Sequence, residues 1–432
     1  MQESTRFDTI VVGSGTSGAA LARDLSAGGQ KVLLLERGPD LRPKEGLLAL
    51  ARMTDEVRLG EGMTVSRGLA TGGSSNLYFG VAKSPSLDMF RRYGVELDTE
   101  LEEVRAELGF APLPESLISE KSRRLRDSAR ALGHVWGAHD MLVDPKRCAS
   151  GYSFDAIWRA RSHIDQACSH GAELRNHARV ERLLLKGDRA IGVEYMHSPA
   201  LRWPRRLQAH ADNIVIAAGE LASPQLLRAN GVTDVGQRGF FCNPGYVLYG
   251  VVPEASSADS FVGCMGGIEQ EGVELGDANV PRFLHRLMMI GSFKPRHLVA
   301  YGGTLGIGVK VRDQVSGELD PEGRLRKHLA DEDRARLQRG EQAAREILEH
   351  AGARHVFNFG LVSAGRVGGM VRINEHVDTD LQTRFRGLFV CDGSVIPDEC
   401  RNPPAVTLLC LAKRLAKRIK GSAQGTTQLP HK

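Results

Sequence analysis

At 432 residues, with 41% hydrophobic and 25% charged side chains, the chain is long enough for one large α/β domain plus a second, smaller one. A net charge of +5 spread over scattered basic residues offers no basic patch of the kind nucleic-acid binding needs. No run reaches the roughly 18 apolar residues of a transmembrane helix, the N-terminus MQESTRFDTI has no basic-then-apolar leader, and seven cysteines without CxxC spacing read as reduced, mostly buried thiols of a cytoplasmic protein with no metal site.

Thr9 to Val12 is a short β-branched run that leads into Gly13-Ser-Gly15-Thr-Ser-Gly18. An Ala/Leu-rich helix follows to about Gly28, and a second strand, Lys31 to Leu35, ends at Glu36. Strand, glycine turn, helix, strand and acid form the dinucleotide-binding βαβ unit. Gly13 permits the tight turn, Gly15 lets the backbone approach a pyrophosphate, and Gly18 lets helix and strand pack. Glu36 is placed to accept hydrogen bonds from an adenosine ribose.

Residues 66–80, SRGLATGGSSNLYFG, form a second glycine-rich loop. Gly72 and Gly73 let backbone amides come close to a flat or anionic ligand. Ser74, Ser75 and Asn76 add short hydrogen-bonding side chains, and Leu77, Tyr78 and Phe79 argue that the loop is packed down. From Asp88 to about Leu142 the pattern is helical and polar, as in a cap or connecting segment. Trp158 to Cys168 reads as a helix. Glu173 to Tyr195 alternates like strands joined by a turn at Lys186-Gly187-Asp188. Asn213 to Ala218 is a buried strand that enters a helix near Ser223.

Residues 245–330 are rich in Gly and alternating apolar residues, as expected of an antiparallel sheet. The apolar patch Leu284 to Phe293 is too short to span a membrane and reads as core packing, with surface association as the alternative. Asp331 to Ala351 is a helix with charges on its outer face, ended by Gly352. An apolar run, Leu388 to Cys391, delivers Asp392 and Gly393 at a strand end. The carboxylate can bind hydroxyls, and an amphipathic helix that opens near Ala405 can face negative charge. The tail from Gly421 to Lys432 is expected to be disordered.

With these pieces in order, the chain resembles the glucose-methanol-choline family of FAD oxidoreductases. The likeness rests on FDTIVVGSGTSGAALARDLSAGGQKVLLLERG, RGLATGGSSN, AAGELASPQLLRANGV and LFVCDGSVIP…NPPAVT, spread from residue 7 to residue 407. Ala70 and Thr71 are extra residues before the second glycine pair. The resemblance implies an α/β protein: a Rossmann-like FAD-binding domain assembled from 1–85, 150–244 and 371–420, beside a smaller α+β cap and substrate-binding domain from 86–149 and 245–370. It implies that Gly13, Gly15 and Gly18 face the pyrophosphate and Glu36 the ribose. Val180, Ala217 and Gly219 would stand near the adenine, with Gly73, Ser74, Ser75 and Asn76 along the flavin. Asp392 and Gly393 would hold the ribityl chain, and the helix from Ala405 would face the pyrimidine end of the ring. No His or Cys stands in the 66–80 loop, so FAD is expected to be non-covalent.

The resemblance also implies a His before the glycine run near the C-terminus and a His or Asn before the last helix. Asn402 fills the second position, but Arg366 occupies the first, in SAGRVGGMVRINEHVD. A guanidinium stays charged and is no base at neutral pH. Arg366 therefore anchors an anionic substrate while another base works, or acidifies an alcohol electrostatically, or marks a protein that has left alcohol oxidation. His355 and His376 are the nearby alternatives for the base. The implied function is removal of a hydride from a CH–OH carbon of a small metabolite or biosynthetic intermediate, reoxidised by oxygen, a quinone or a carrier. The alternative is a lyase, decarboxylation or other non-oxidative reaction on the same fold.

Overall fold

The computed structural model describes residues 6–42, 44–148, 153–200, 202–253, 263–363, 366–397 and 402–425. Its first sheet runs, in spatial order, Ala178–Lys186, Arg189–His197, Arg205–Ile216, Arg6–Val12, Val32–Leu35 and Glu173–Arg175. Leu388–Val390 adds itself in parallel to Ile214–Ile216, so the end of the chain reaches the middle of this sheet. The central strands are buried on both faces, which explains why IVV and VLLL read as continuous apolar runs rather than alternating ones. The helix Thr16–Ala27 buries Ala19, Ala20, Leu21, Ala22 and Leu25 completely, and its small side chains let it lie close against the C-terminal helix Ala405–Gly425.

A second sheet orders His355–Asn358, Pro244–Val251, Thr304–Val311, Val273–Asp277, Gly266–Gln270 and Gly137–Ala138. One face packs Leu248, Leu275, Ile307 and Val309 against the helix Asp331–His350 through Ala344, Ile347 and Leu348. Pairing sets the other face. Glu274 lies opposite Lys310, Lys310 opposite Gly245, and Tyr249 opposite Phe357. Facing residues share a side, and side chains two apart along a strand do too. Glu274, Lys310, Val247, Tyr249 and Phe357 therefore line one common surface.

The stretch 86–149 divides between the two units. Phe90, Leu101 and Val104, from the helices Leu87–Arg92 and Asp98–Leu108, enter the core of the first sheet. Leu125 and Ala129 of Glu120–Ala131 enter the core of the second. Two expectations are corrected. Helix continues to Gly425, past the point where the tail was expected to begin, while 426–432 lie outside the described residues. The patch Leu284 to Phe293 is not all core: His285 and Met289 are buried, but Ile290 and Phe293 are exposed.

A buried ion pair fixes the junction of the two units. Lys327 and Asp313 are both fully buried, with Nζ and Oδ2 2.7 Å apart. Asp313 also accepts from the backbone N–H groups of Cys242 and Asn243, which holds the start of the Pro244–Val251 strand. Phe241, one residue earlier, exchanges backbone hydrogen bonds with Gly368. The described helices include none long and apolar enough to cross a membrane.

Candidate active site

Between the two glycine loops lies a cavity of about 510 Å³. Gly13 turns at φ +104°, where a side chain would meet the carbonyl oxygen of Ala217 at 2.2 Å. At Gly18 an added Cβ would lie 1.9 Å from the Gly13 oxygen, so helix and turn are in direct contact. Gly15 differs: nothing stands within 4 Å of an added Cβ, because that side is the cavity itself. The second loop docks on the first. Gly73 approaches so closely that its Cβ would be 2.9 Å from Gly15 Cα, and Gly72 N–H donates to Ser14 Oγ at 3.1 Å.

Ser14 also ties the loop to Glu36, which is buried. Its N–H and Oγ both donate to Glu36 Oε2, at 3.1 and 2.5 Å, while Gly38 N–H donates to Oε1 at 2.7 Å. A carboxylate offers about four lone-pair sites, so Glu36 is oriented and retains capacity for a ribose hydroxyl. At the other end, Asp392 Oδ2 accepts from Gly219 N–H at 2.9 Å and from Ser223 Oγ. Its Oδ1 accepts from Ser394 N–H and Oγ at 2.9 and 2.6 Å. Burial raises Asp392 above the usual carboxylate range despite these donors. Glu220, beside it, is pushed up to about 7 by burial, with the charge of Asp392 adding to the shift.

Eleven of the residues expected at the cofactor line this cavity: Gly13, Gly15, Glu36, Gly73, Ser74, Ser75, Val180, Ala217, Gly219, Asp392 and Gly393. Gly18 supports it from behind. Asn76 turns its Nδ2 to the carbonyl of Thr71 at 3.0 Å and braces the loop, with its buried Oδ1 lacking a hydrogen-bond partner. Ala405 lies at the helix start, three residues before Leu408, which reaches the wall. Sequence reading missed Ser14, Glu220 and Arg67. All three sit inside quoted motifs, as letters to which no role was assigned.

Two glycines flanking the second sheet approach the loops that bear the cofactor residues. Gly368 comes within 3.0 Å, as an added Cβ, of the Gly393 oxygen, and Gly263 within 3.2 Å of the Phe79 oxygen. Arg366, two residues before Gly368, is buried and forks onto Glu274, with Nη1 2.7 Å from Oε2 and Nη2 3.2 Å from Oε1. Lys310 Nζ lies 3.9 Å from the same carboxylate. Burial alone would raise Glu274, but Lys310 and Arg366 override it and hold it well below the usual carboxylate range. Burial and Arg366 lower Lys310.

His139 joins this cluster, its Nδ1 3.5 Å from Cys264 Sγ and 3.3 Å from the Cys264 oxygen. Burial, with Lys83 adding, pushes it down to about 4, so the ring is neutral at neutral pH. Burial pushes Cys264 up to about 12. Sequence reading missed Glu274, Lys310 and His139, which lie 56 to 227 residues from Arg366 and carry no motif. Asn402 donates from Nδ2 to the Ser84 oxygen at 2.6 Å, at the start of the C-terminal helix.

The two histidines read as alternative bases stand elsewhere. His355 is exposed and pairs opposite Val251, whereas Ser363 pairs opposite Pro244. Seven residues of strand, roughly 23 Å, separate it from the Arg366 end. His376 accepts from Arg372 N–H at 2.9 Å and sits 3.5 Å from Asp234, bracing a turn.

A family model described as GMC oxidoreductase matches residues 147–240. A GMC-type oxidoreductase of Mycobacterium tuberculosis is 32% identical over 257 residues, 53% of this chain and 40% of that protein. The chain thus spans less than half the length of that relative. A long-chain-alcohol oxidase of Arabidopsis thaliana is 24% identical over 519 residues, covering 99% of this chain and 69% of its own. Among solved structures, pyridoxine 4-oxidase from Mesorbium loti superposes with a TM-score of 0.73 at 17% identity, over 95% of this chain and 98% of its own.

Proposed function

The chain belongs to the glucose-methanol-choline family, and from that premise we propose that it is an FAD-dependent oxidoreductase acting on the CH–OH carbon of a small neutral alcohol. The observation that carries the reading is the cavity between the two glycine loops, with Glu36 at one end and Asp392 at the other. Its open Gly15 face, the oriented Glu36 and the buried, unpartnered Asn76 Oδ1 beside the loop all fit a dinucleotide. Non-covalent FAD suits a loop that offers no His or Cys. When bound there, FAD supplies the hydride acceptor.

Arg366 and Lys310 set two cations against the one carboxylate of Glu274. Such a surplus stabilises oxyanion character on a substrate hydroxyl. An anionic substrate fits less well, because it would have to displace Glu274 from the guanidinium fork. His139, a weak base because burial lowers it to about 4, is the residue we assign to take the hydroxyl proton once the cations have acidified it. We assign Asn402, before the C-terminal helix, to position the hydroxyl.

Anaerobic titration of the flavin-loaded protein with short, aromatic and long-chain alcohols tests the reading. Loss of visible flavin absorbance without added reductant is expected for at least one class. His139→Gln should lower that rate by roughly 10²–10⁴-fold. The absence of a base at position 366 favours a second reading, a non-oxidative lyase-type reaction. Product formation with the absorbance unchanged would select it.

A further inference from the structure

The helix Arg282–Gly291 lies over the sheet face that bears Tyr249 and Phe357, and it is turned the wrong way for a helix of a protein surface. Its buried side carries His285 and Met289, one turn apart, and His285 sits against the rings of Tyr249 and Tyr301. At 100° per residue, Phe283, Leu287 and Ile290 fall roughly 120–180° away from that side. An apolar stripe at spacings of four and three therefore lies on the opposite side, with Phe283 and Leu287 half-buried and Ile290 58% exposed.

The helix ends in the left-handed conformation where chains usually place glycine. Here the residue is Phe293, at φ +55° and 93% exposed. An aromatic side chain is strained in that conformation, and at that exposure it gains almost no packing in return. After the turn Pro295–His297, Val299 is 90% exposed as well. Cations rim the patch: Arg282, Arg286 and Arg296 are exposed, and Lys294 lies over the Phe357 ring. No acidic residue occurs between Asp277 and Asp313.

We propose that this helix and the turn through Val299 dock on an anionic lipid bilayer, with Phe293, Ile290 and Val299 entering the headgroup boundary and the cations meeting lipid phosphates. An apolar stripe opposite the buried side, an aromatic apex and a rim of one charge sign are the features of an interfacial helix. The inference does not depend on the reaction catalysed.

Flotation of the flavin-loaded full chain with phosphatidylcholine vesicles, and with vesicles containing phosphatidylglycerol, tests it. Binding is expected only with the anionic vesicles and should weaken as salt rises. Arg286→Gln and Arg296→Gln should each weaken it roughly five-fold. Phe293→Gly relieves the strained backbone, so it should weaken binding at least ten-fold while thermal stability holds or rises. No binding to anionic vesicles, or binding indifferent to these substitutions, would overturn the proposal. So would a self-associated species in analytical ultracentrifugation that Phe293→Gly disperses, since a second copy would then own the face.

Discussion

Arg366 is held by Glu274 through two parallel hydrogen bonds of 2.7 and 3.2 Å, so the guanidinium is oriented before any substrate arrives. Arg366→Ala should retain FAD, because its partner Glu274 belongs to the second sheet and not to the glycine loops. It should lower kcat/KM about ten- to a hundred-fold, the equivalent of roughly 1.5–3 kcal/mol. Arg366→Lys should recover only part of this, since an ammonium lacks the planar fork.

The same pair sets a pH response. Glu274 is depressed in the folded chain, so its contribution to stability is complete above the ordinary value of 4.5 and is lost as pH falls below it. Removing Arg366 leaves Lys310 as the nearest cation and raises the folded value. Acid unfolding of Arg366→Ala, followed by far-ultraviolet circular dichroism, should therefore begin at higher pH than in the parent. An unchanged acid midpoint would mean that the pair is not formed.

Glu220 shifts the other way. Its carboxyl is raised to about 7, so the protein without cofactor is favoured below about 4.5 and loses that advantage as pH rises to 7. Glu220→Gln should remove the penalty and stabilise the apoprotein by about 2–3 kcal/mol above pH 7, with little effect at pH 4. FAD affinity in the parent should fall across the same interval, since an ionised Glu220 beside Asp392 repels a diphosphate, and the substitution should flatten that dependence. Equilibrium dialysis of FAD at several pH values reads both.

How much of this was legible depends on whether the signal is local. The βαβ unit was, because Thr9–Val12, the glycine turn and Glu36 are contiguous and their spacing encodes the fold. Arg366 was legible as a departure from a pattern. Its partner Glu274 was not: a glutamate in an alternating strand reads as solvent-facing until pairing with Thr304–Val311 places it beside Lys310. His139 was hidden for the same reason, because its neighbour Cys264 is 125 residues away. The stripe of Arg282–Gly291 was misread because helical periodicity shows that an apolar face exists, not which way it points.

Gly15→Val tests the placement of the phosphate. Nothing stands within 4 Å of a Cβ at this position, so the variant should fold with little loss of stability. The added side chain fills space the pyrophosphate needs, and the purified protein should be colourless. A yellow Gly15→Val protein of normal flavin content would move the phosphate site elsewhere in the cavity.

Ser14 connects two parts of the cavity wall. Its hydroxyl donates to Glu36 Oε2 and accepts from Gly72 N–H, so one oxygen joins the nucleotide acid to the second glycine loop. Ser14→Ala removes both bonds and leaves a buried carboxylate oxygen with the Ser14 N–H as its remaining partner there. A lost hydrogen bond to a charged group costs roughly 1.5–3 kcal/mol. Part of that should appear as a lower melting temperature and part as a rise in the dissociation constant of FAD, by about ten-fold. Ser14→Thr keeps the hydroxyl and should restore affinity if its added methyl is accommodated, whereas Ser14→Gly should behave like alanine. If Ser14→Ala binds FAD as the parent does, Glu36 is oriented by the backbone N–H groups of residues 14 and 38 alone and the two loops associate without the bridge.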